Sequence, residues 1–362
     1  MQASPDPIEA VSQRLADFVD GQVDSWHDSG PEATTFVRAA GTALVGGKRL
    51  RARFCLTGWQ AVAELREPRA SPDADAISAA AALEVFHAAA LVHDDLIDNS
   101  DTRRGRPAAH RALEAHHRAS GWAGDAAAFG RSGAILQGDL LVAWSDDLLE
   151  QGLRTAAHAA AAREVYALMR REVTVGQFLD IAEEAAFVAS PVTEHAERAL
   201  RVASLKSARY SVQHPLLLGA ALAGADAAQT AALSDFGHPL GLAFQLRDDV
   251  LGVFGDSAVT GKPSGDDLRE GKRTVLVAYA REELSAGAGR VFDELIGDPT
   301  LDAAQISSLQ QTIVDTGALE RVEALIAGYS EEADRALRGA PLGTHAVGVL
   351  RDLAHDATAR TA

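Results

Sequence analysis

The chain has 362 residues, 47% of them hydrophobic, which is enough apolar material for a large buried core; its formal net charge of −17 excludes nucleic acid or an anionic membrane surface as main partner, since both need a basic face. Cys55 is the only cysteine, which excludes an intrachain disulfide and suits a reducing compartment. Met1 to Asp20 carries Asp6, Glu9, Asp17 and Asp20 instead of a basic-then-apolar leader, and no apolar run approaches the ~20 residues that span a bilayer, so a cytoplasmic protein without a membrane span is expected.

Ala- and Leu-rich segments with polar residues at helical intervals predict helices over about 8–27, 32–45, 48–64, 72–99, 124–151 and 154–184. Further helices are predicted over about 193–223, 225–254, 272–286, 303–315, 319–338 and 344–359. Breakers separate them at Gly46-Gly47, Glu67-Pro68, Gly121 to Gly124, Ser190-Pro191, Gly255 to Gly271 and Gly339 to Pro341. The stretch 116–128 reads as a surface excursion, and period-two apolar runs are missing, so no strand is expected. No Pro/Gly/Ser-rich linker divides the chain, which predicts an all-α, single-domain helical bundle over 1–362.

Chemistry concentrates on two acidic stretches. In Leu91-Val92-His93-Asp94-Asp95-Leu96-Ile97-Asp98, helical spacing gathers Asp94, Asp95 and Asp98 on one side, and in Phe244 to Gly252 it gathers Gln245, Asp248 and Asp249. Two such clusters facing each other across a bundle would suit a hard, oxygen-loving cation, although either alone could be a solvated helix end. Arg103 and Arg104 follow the first cluster at once, and carboxylates for Mg²⁺ beside guanidinium forks for oxyanions suit a metal-bridged diphosphate. Lys48, Arg49 and Arg51 follow Gly46-Gly47, which allows an anion to approach the backbone; a solvated basic face is the plainer alternative. His87 lies two turns before Asp94 and so shares its face, though a lone helical His is more often structural. The loop Gly255 to Gly271 is long for a compact domain and reads as a lid or an ordinary connection; Lys262 within it and Lys272 beyond it could bring ammonium groups to a diphosphate.

Together these residues resemble the trans-prenyltransferases, the isoprenyl diphosphate synthases of the polyprenyl synthetase family. The resemblance runs from Gly46-Gly47-Lys48-Arg49-Leu50-Arg51 through Glu84, His87, Asp94-Asp95-Leu96-Ile97-Asp98, Arg103-Arg104-Gly105, Gly138-Asp139, Gly176-Gln177 with Asp180, Lys206-Ser207, Phe244-Gln245 with Asp248-Asp249, and Gly261-Lys262-Pro263. It covers roughly 35–275, and the helices over 272–360 are expected to complete the same bundle around a central cavity, the isoprenoid synthase fold. Two departures stand out: Ala52 where the family usually has Pro, and Gly252 where a third acid often stands, so that the second cluster has lost one ligand.

The resemblance implies head-to-tail condensation of isopentenyl diphosphate with an allylic diphosphate through an allylic carbocation, assisted by about three Mg²⁺ ions held by Asp94, Asp95, Asp98, Asp248 and Asp249. It implies that Lys48, Arg51, His87 and Arg104 hold isopentenyl diphosphate, and that Arg103, Lys206, Ser207, Gln245, Lys262 and Lys272 hold the allylic partner. A homodimer is implied in the same way. Product length in this family depends on what blocks the growing tail below the first cluster. Ala90 and Ala89 lie one turn back from Asp94 and Phe86 two turns back, so an open channel floored by Phe86 favours geranylgeranyl diphosphate, with a longer polyprenyl product next. A class I terpene cyclase would use the same ionisation but needs only one diphosphate, and a non-catalytic regulatory subunit would not keep these acids.

Overall fold

The computed structural model describes residues 6–68, 70–255 and 264–358, and among them helices account for nearly all regular structure. Their contacts gather into two compact units: Met1–Ala63, Arg69–Ala162 and Leu218–Gly224 form the first, and Glu64–Pro68, Arg163–Leu217 and Ala225–Ala362 the second.

In the first unit, α1 (Pro7–Ser25), α2 (Pro31–Thr42) and α3 (Leu50–Ala63) precede the central helix α4 (Ala74–Ile97). Asp73 starts α4 by accepting a hydrogen bond from the Ala76 amide at 2.8 Å. Alanines supply much of its apolar character and make it long and apolar enough to cross a membrane by length and composition, which corrects the expectation that no such run exists; most of it is buried within the fold. Its main neighbour is α6 (Ala126–Leu153), where small residues allow close approach: a methyl group at Gly138 would overlap the His93 ring, and one at Gly152 would crowd Ser78 and the Asp75 carbonyl. Phe54, Leu83, Leu141, Trp144 and Leu148 fill the core here.

Two features of this unit depart from expectation. Thr102–Arg103 and Arg106–Pro107 pair as a minimal antiparallel hairpin, too short to show any period in sequence. α5 (Ala109–Ala119) is helical where none was expected, because its His- and Arg-rich sequence hides a face buried through His110, Leu113, Glu114 and His117.

α7 (Ala159–Ala186) and α9 (His214–Leu222) each run across a boundary between the units. In the second unit, α8 (His195–Val202) passes into a π-helical stretch, Ala203–Gln213, where the sequence predicts plain α-helix. α10 (Ala227–Phe254) opens with a reciprocal cap between Asp226 and Gln229 and continues through Pro239. The predicted loop contains a short helix, α11 (Asp266–Glu270), and the predicted helix over 272–286 is narrower, α12 (Val275–Glu283), followed by an unexpected α13 (Ala286–Leu295) capped by Ser285. α14 (Ala303–Asp315), α15 (Ala318–Ala336) and α16 (Thr344–Thr358) agree closely with the predicted spans. Val250, Val253, Leu268, Leu276, Ile313 and Val322 belong to the core of this unit.

Candidate active site

The first acidic group stands at the C-terminal end of α4, where the helix dipole is negative and carboxylates need compensation. Asp94 and Asp98 are half-buried and Asp95 is 3% exposed. Compensation comes from the hairpin. Arg104 and Gly105 both have positive φ, 53° and 72°, as a tight two-residue turn requires, and the hairpin returns Arg103 towards the helix. The Arg103 Nε donates to Asp95 at 2.7 Å, its Nη2 also meets Asp95, and that nitrogen lies 3.7 Å from Asp94. Asp101 pairs instead with Arg111, at 2.7 Å.

Beside this group lies a basic basin. Gly46 and Gly47 take left-handed conformations, φ 81° and 89°, and a methyl group on Gly47 would overlap the Arg104 guanidinium. Arg49, itself at φ 52°, donates to the Leu44 carbonyl at 2.7 Å and lies 3.7 Å from the buried Glu84, whose Oε1 accepts from the Ala52 amide at 3.0 Å. Burial, then the charges of Arg51, Arg104, Arg103 and Arg49, hold the His87 pKa well below the usual imidazole range. A neutral imidazole thus sits among guanidinium groups, in a field made for an anion. Lys48 is exposed in the loop just before α3. Spacing alone assigns Arg49 and Glu84 no role of their own; an acid one turn before His87, together with the basic run, is the available signal. His93 lies 3.3 Å from the Ile135 carbonyl and 3.5 Å from Asp139.

Of the chain-length residues, Ala90 is half-buried on the face of Asp94, Ala89 is fully buried and Phe86 is 7% exposed. Ala89 therefore packs inside the bundle rather than facing open space.

The second acidic group lies in the second unit, on α10. Gln245 Nε2 donates to Asp249 at 2.7 Å, Asp248 is half-buried and Asp249 is 8% exposed. Burial first, then the Asp267 carboxylate, push the Asp249 pKa up to about 8, with Asp248 adding to the rise while Gln245 and Lys272 oppose it. Lys272 lies 2.9 Å from Glu270 and 3.7 Å from Asp267. Lys206 and Ser207 fall within the π-helical stretch, a distortion frequent at functional sites. Lys206 Nζ donates to Asp180 at 2.5 Å, and the backbone at Lys206 comes so close to Gly176 that a methyl group there would overlap it. Lys262, with Asp256, lies outside the described residues.

Among the described residues, no three His, Cys, Asp or Glu side chains already form a cage for an ion. Each acidic group is an incomplete, all-oxygen set, suited to a cation that draws its other ligands from water and phosphate. The model of the polyprenyl synthetase family matches residues 34–313. A geranylgeranyl pyrophosphate synthase from Corynebacterium glutamicum, solved with isoprenyl diphosphate and magnesium, is 40% identical, with 98% of each chain covered and a TM-score of 0.91. The geranylfarnesyl diphosphate synthase of Aeropyrum pernix is 32% identical over 84% of this chain and 88% of its own. The geranylgeranyl diphosphate synthase of Methanosarcina mazei is 31% identical over 81% of this chain and 79% of its own. This chain belongs to the polyprenyl synthetase family: it is a chain-elongating prenyltransferase, similar to the geranylgeranyl diphosphate synthases.

Proposed function

We propose that the chain adds isopentenyl diphosphate head-to-tail to an allylic diphosphate and that its main product is geranylgeranyl diphosphate. The observation that carries the two-diphosphate reading is the basic set of Arg49, Arg51, Arg103 and Arg104, whose charges all reach His87, beside an acidic group on the same helix. One anion has its basic basin there, and the acids require a cation before a second anion can approach.

The donor set fits magnesium, since every candidate ligand is a carboxylate oxygen. Asp94, Asp95 and Asp98 of the first group and Asp248 and Asp249 of the second would hold it, about three ions in all by family likeness. When bound, magnesium supplies Lewis-acid stabilisation of the negative charge on the departing diphosphate. Arg103, now paired with Asp95, and Lys206, now paired with Asp180, turn to the allylic diphosphate together with Ser207, Gln245, Lys272 and Lys262. The allylic carbon–oxygen bond breaks with its electron pair leaving on the diphosphate. Lys48, Arg51, His87 and Arg104 hold isopentenyl diphosphate so that its double bond attacks the carbocation; a new carbon–carbon bond forms and a proton is lost to the released diphosphate.

The small, half-buried Ala90 one turn below Asp94 and the large, buried Phe86 a turn further on support a tail space of that depth. Radiolabelled isopentenyl diphosphate with dimethylallyl, geranyl and farnesyl diphosphates in turn, followed by chromatography of the dephosphorylated product, tests both claims. Growth by isoprene units to twenty carbons is expected; a hydrocarbon product, or no turnover of any pair, overturns the reading. Ala90→Phe should shorten the main product to fifteen carbons or fewer and Phe86→Ala should lengthen it. Unchanged products from both would place the floor elsewhere.

The working form is a cytoplasmic homodimer. Ile135 and Leu136 on α6, and Val175 and Phe178 on α7, are exposed apolar side chains of the kind a second copy covers.

A further inference from the structure

α5 holds a buried group that the reaction above does not use. His110 is 3% exposed, and neither of its ring nitrogens has a hydrogen-bond partner. Burial first, then the charge of Arg111, hold its pKa down against the pull of Asp95, Asp101 and Glu114, so the ring is neutral and carries one N–H donor. A buried donor left unpaired destabilises the fold and calls for a reason beyond packing. The backbone cannot carry the ring outward: α6 comes so close that a methyl group on Gly130 would overlap the His110 carbonyl, and the Ala108 amide ties the start of α5 to the Asp101 carbonyl at 2.9 Å. Of the three acids whose charges reach the ring, two are engaged by Arg111, which donates to Asp101 at 2.7 Å and to Glu114 at 3.0 Å. The third is the buried Asp95, whose Oδ1 accepts from both Nε and Nη2 of Arg103. In the reaction proposed above Arg103 turns to the allylic diphosphate, and a buried carboxylate that loses its guanidinium is destabilised unless another donor replaces it.

We propose that His110 is a positioning residue for Asp95: its N–H takes over the carboxylate when Arg103 turns to the diphosphate, and so keeps Asp95 aimed at the metal site. The imidazole then destabilises the free chain and serves the loaded enzyme. This inference rests on the roles given to Arg103 and Asp95 above.

The test pairs melting temperature with steady-state kinetics on the full chain, with magnesium present and isopentenyl and geranyl diphosphates saturating. His110→Phe and His110→Leu remove both ring nitrogens; each should leave the melting temperature of the metal-free protein unchanged or higher while lowering kcat by about tenfold or more. His110→Gln keeps an N–H donor and should stay within about threefold of the unmodified kcat. Added to Asp95→Ala, His110→Phe should lower kcat by less than about twofold, because the carboxylate it served is gone. Unchanged kcat in both apolar variants, as when the ring serves only a buried water, would overturn the inference. So would a melting temperature that falls with kcat in both, or a full loss that persists beside Asp95→Ala. If Arg103→Gln leaves the Michaelis constant for the allylic diphosphate unchanged, the role given to Arg103 fails, and this inference with it.

Discussion

Asp94 and Asp98 end α4 one turn apart, and Arg103 balances this acidic group. Asp94→Ala or Asp98→Ala should lower turnover by about two orders of magnitude or more, since each removes an anion acting mainly in the transition state; steady-state kinetics with both substrates saturating would show it. Wild-type turnover in either variant would move the ion to other ligands. Asp249 offers a different measurement. With its pKa lifted to about 8, the folded, metal-free protein keeps a proton that the unfolded chain releases above about 4. The stabilisation from that proton is complete below the unfolded value and is lost as pH rises through the folded one. Metal-free protein should therefore lose more melting temperature than Asp249→Asn between about pH 5.5 and 8.5; equal losses would contradict the assignment.

At the scale of elements, helix contacts rest on missing side chains at particular positions. Gly219 of α9 lies so close to α3 that a methyl group would overlap the Cys55 carbonyl, a backbone atom that cannot turn aside. Gly219→Ala should destabilise by about 1–3 kcal/mol or more, read as a fall in apparent melting temperature. Gly328 in α15 has open space where its side chain would be, so Gly328→Ala should stabilise by about 0.5–1 kcal/mol through helix propensity alone. Opposite signs for the two identical chemical changes would establish that packing decides the first; a neutral Gly219→Ala would contradict the close approach. The same logic applies to Gly176, beside which the π-helical backbone carrying Lys206 passes.

For the whole molecule, Phe178 at 67% exposure and Leu136 at 59% are large apolar side chains left to solvent by a single chain. Size-exclusion chromatography with light scattering should give a mass of twice the 38.0 kDa chain. Leu136→Glu with Phe178→Glu should shift it towards one chain with little loss of helical circular dichroism. A monomeric unmodified protein would refute the dimer, and a dimer unaffected by both charges would place the interface elsewhere.

Helical periodicity, caps and breakers are local, so most helices, the acidic groups and the basic run were legible in the order of residues. Asp302 followed by Gln305, and Asp226 followed by Gln229, even mark their helix starts by the reciprocal cap. The hairpin carrying Arg103 was not legible, because its two-residue strands have no period, nor was α5, whose buried face is written in His and Glu. The burial that raises Asp249 and neutralises His87, and the pairing of Arg49 with Glu84, depend on residues far apart in sequence. Gly252 shows the difference most directly. The sequence by itself determined that Gly252 stands one turn beyond Asp248 on α10; only the tertiary structure decided that the Asp267 carboxylate packs against it, because a side chain's neighbours across an element are set by packing and not by spacing along the chain.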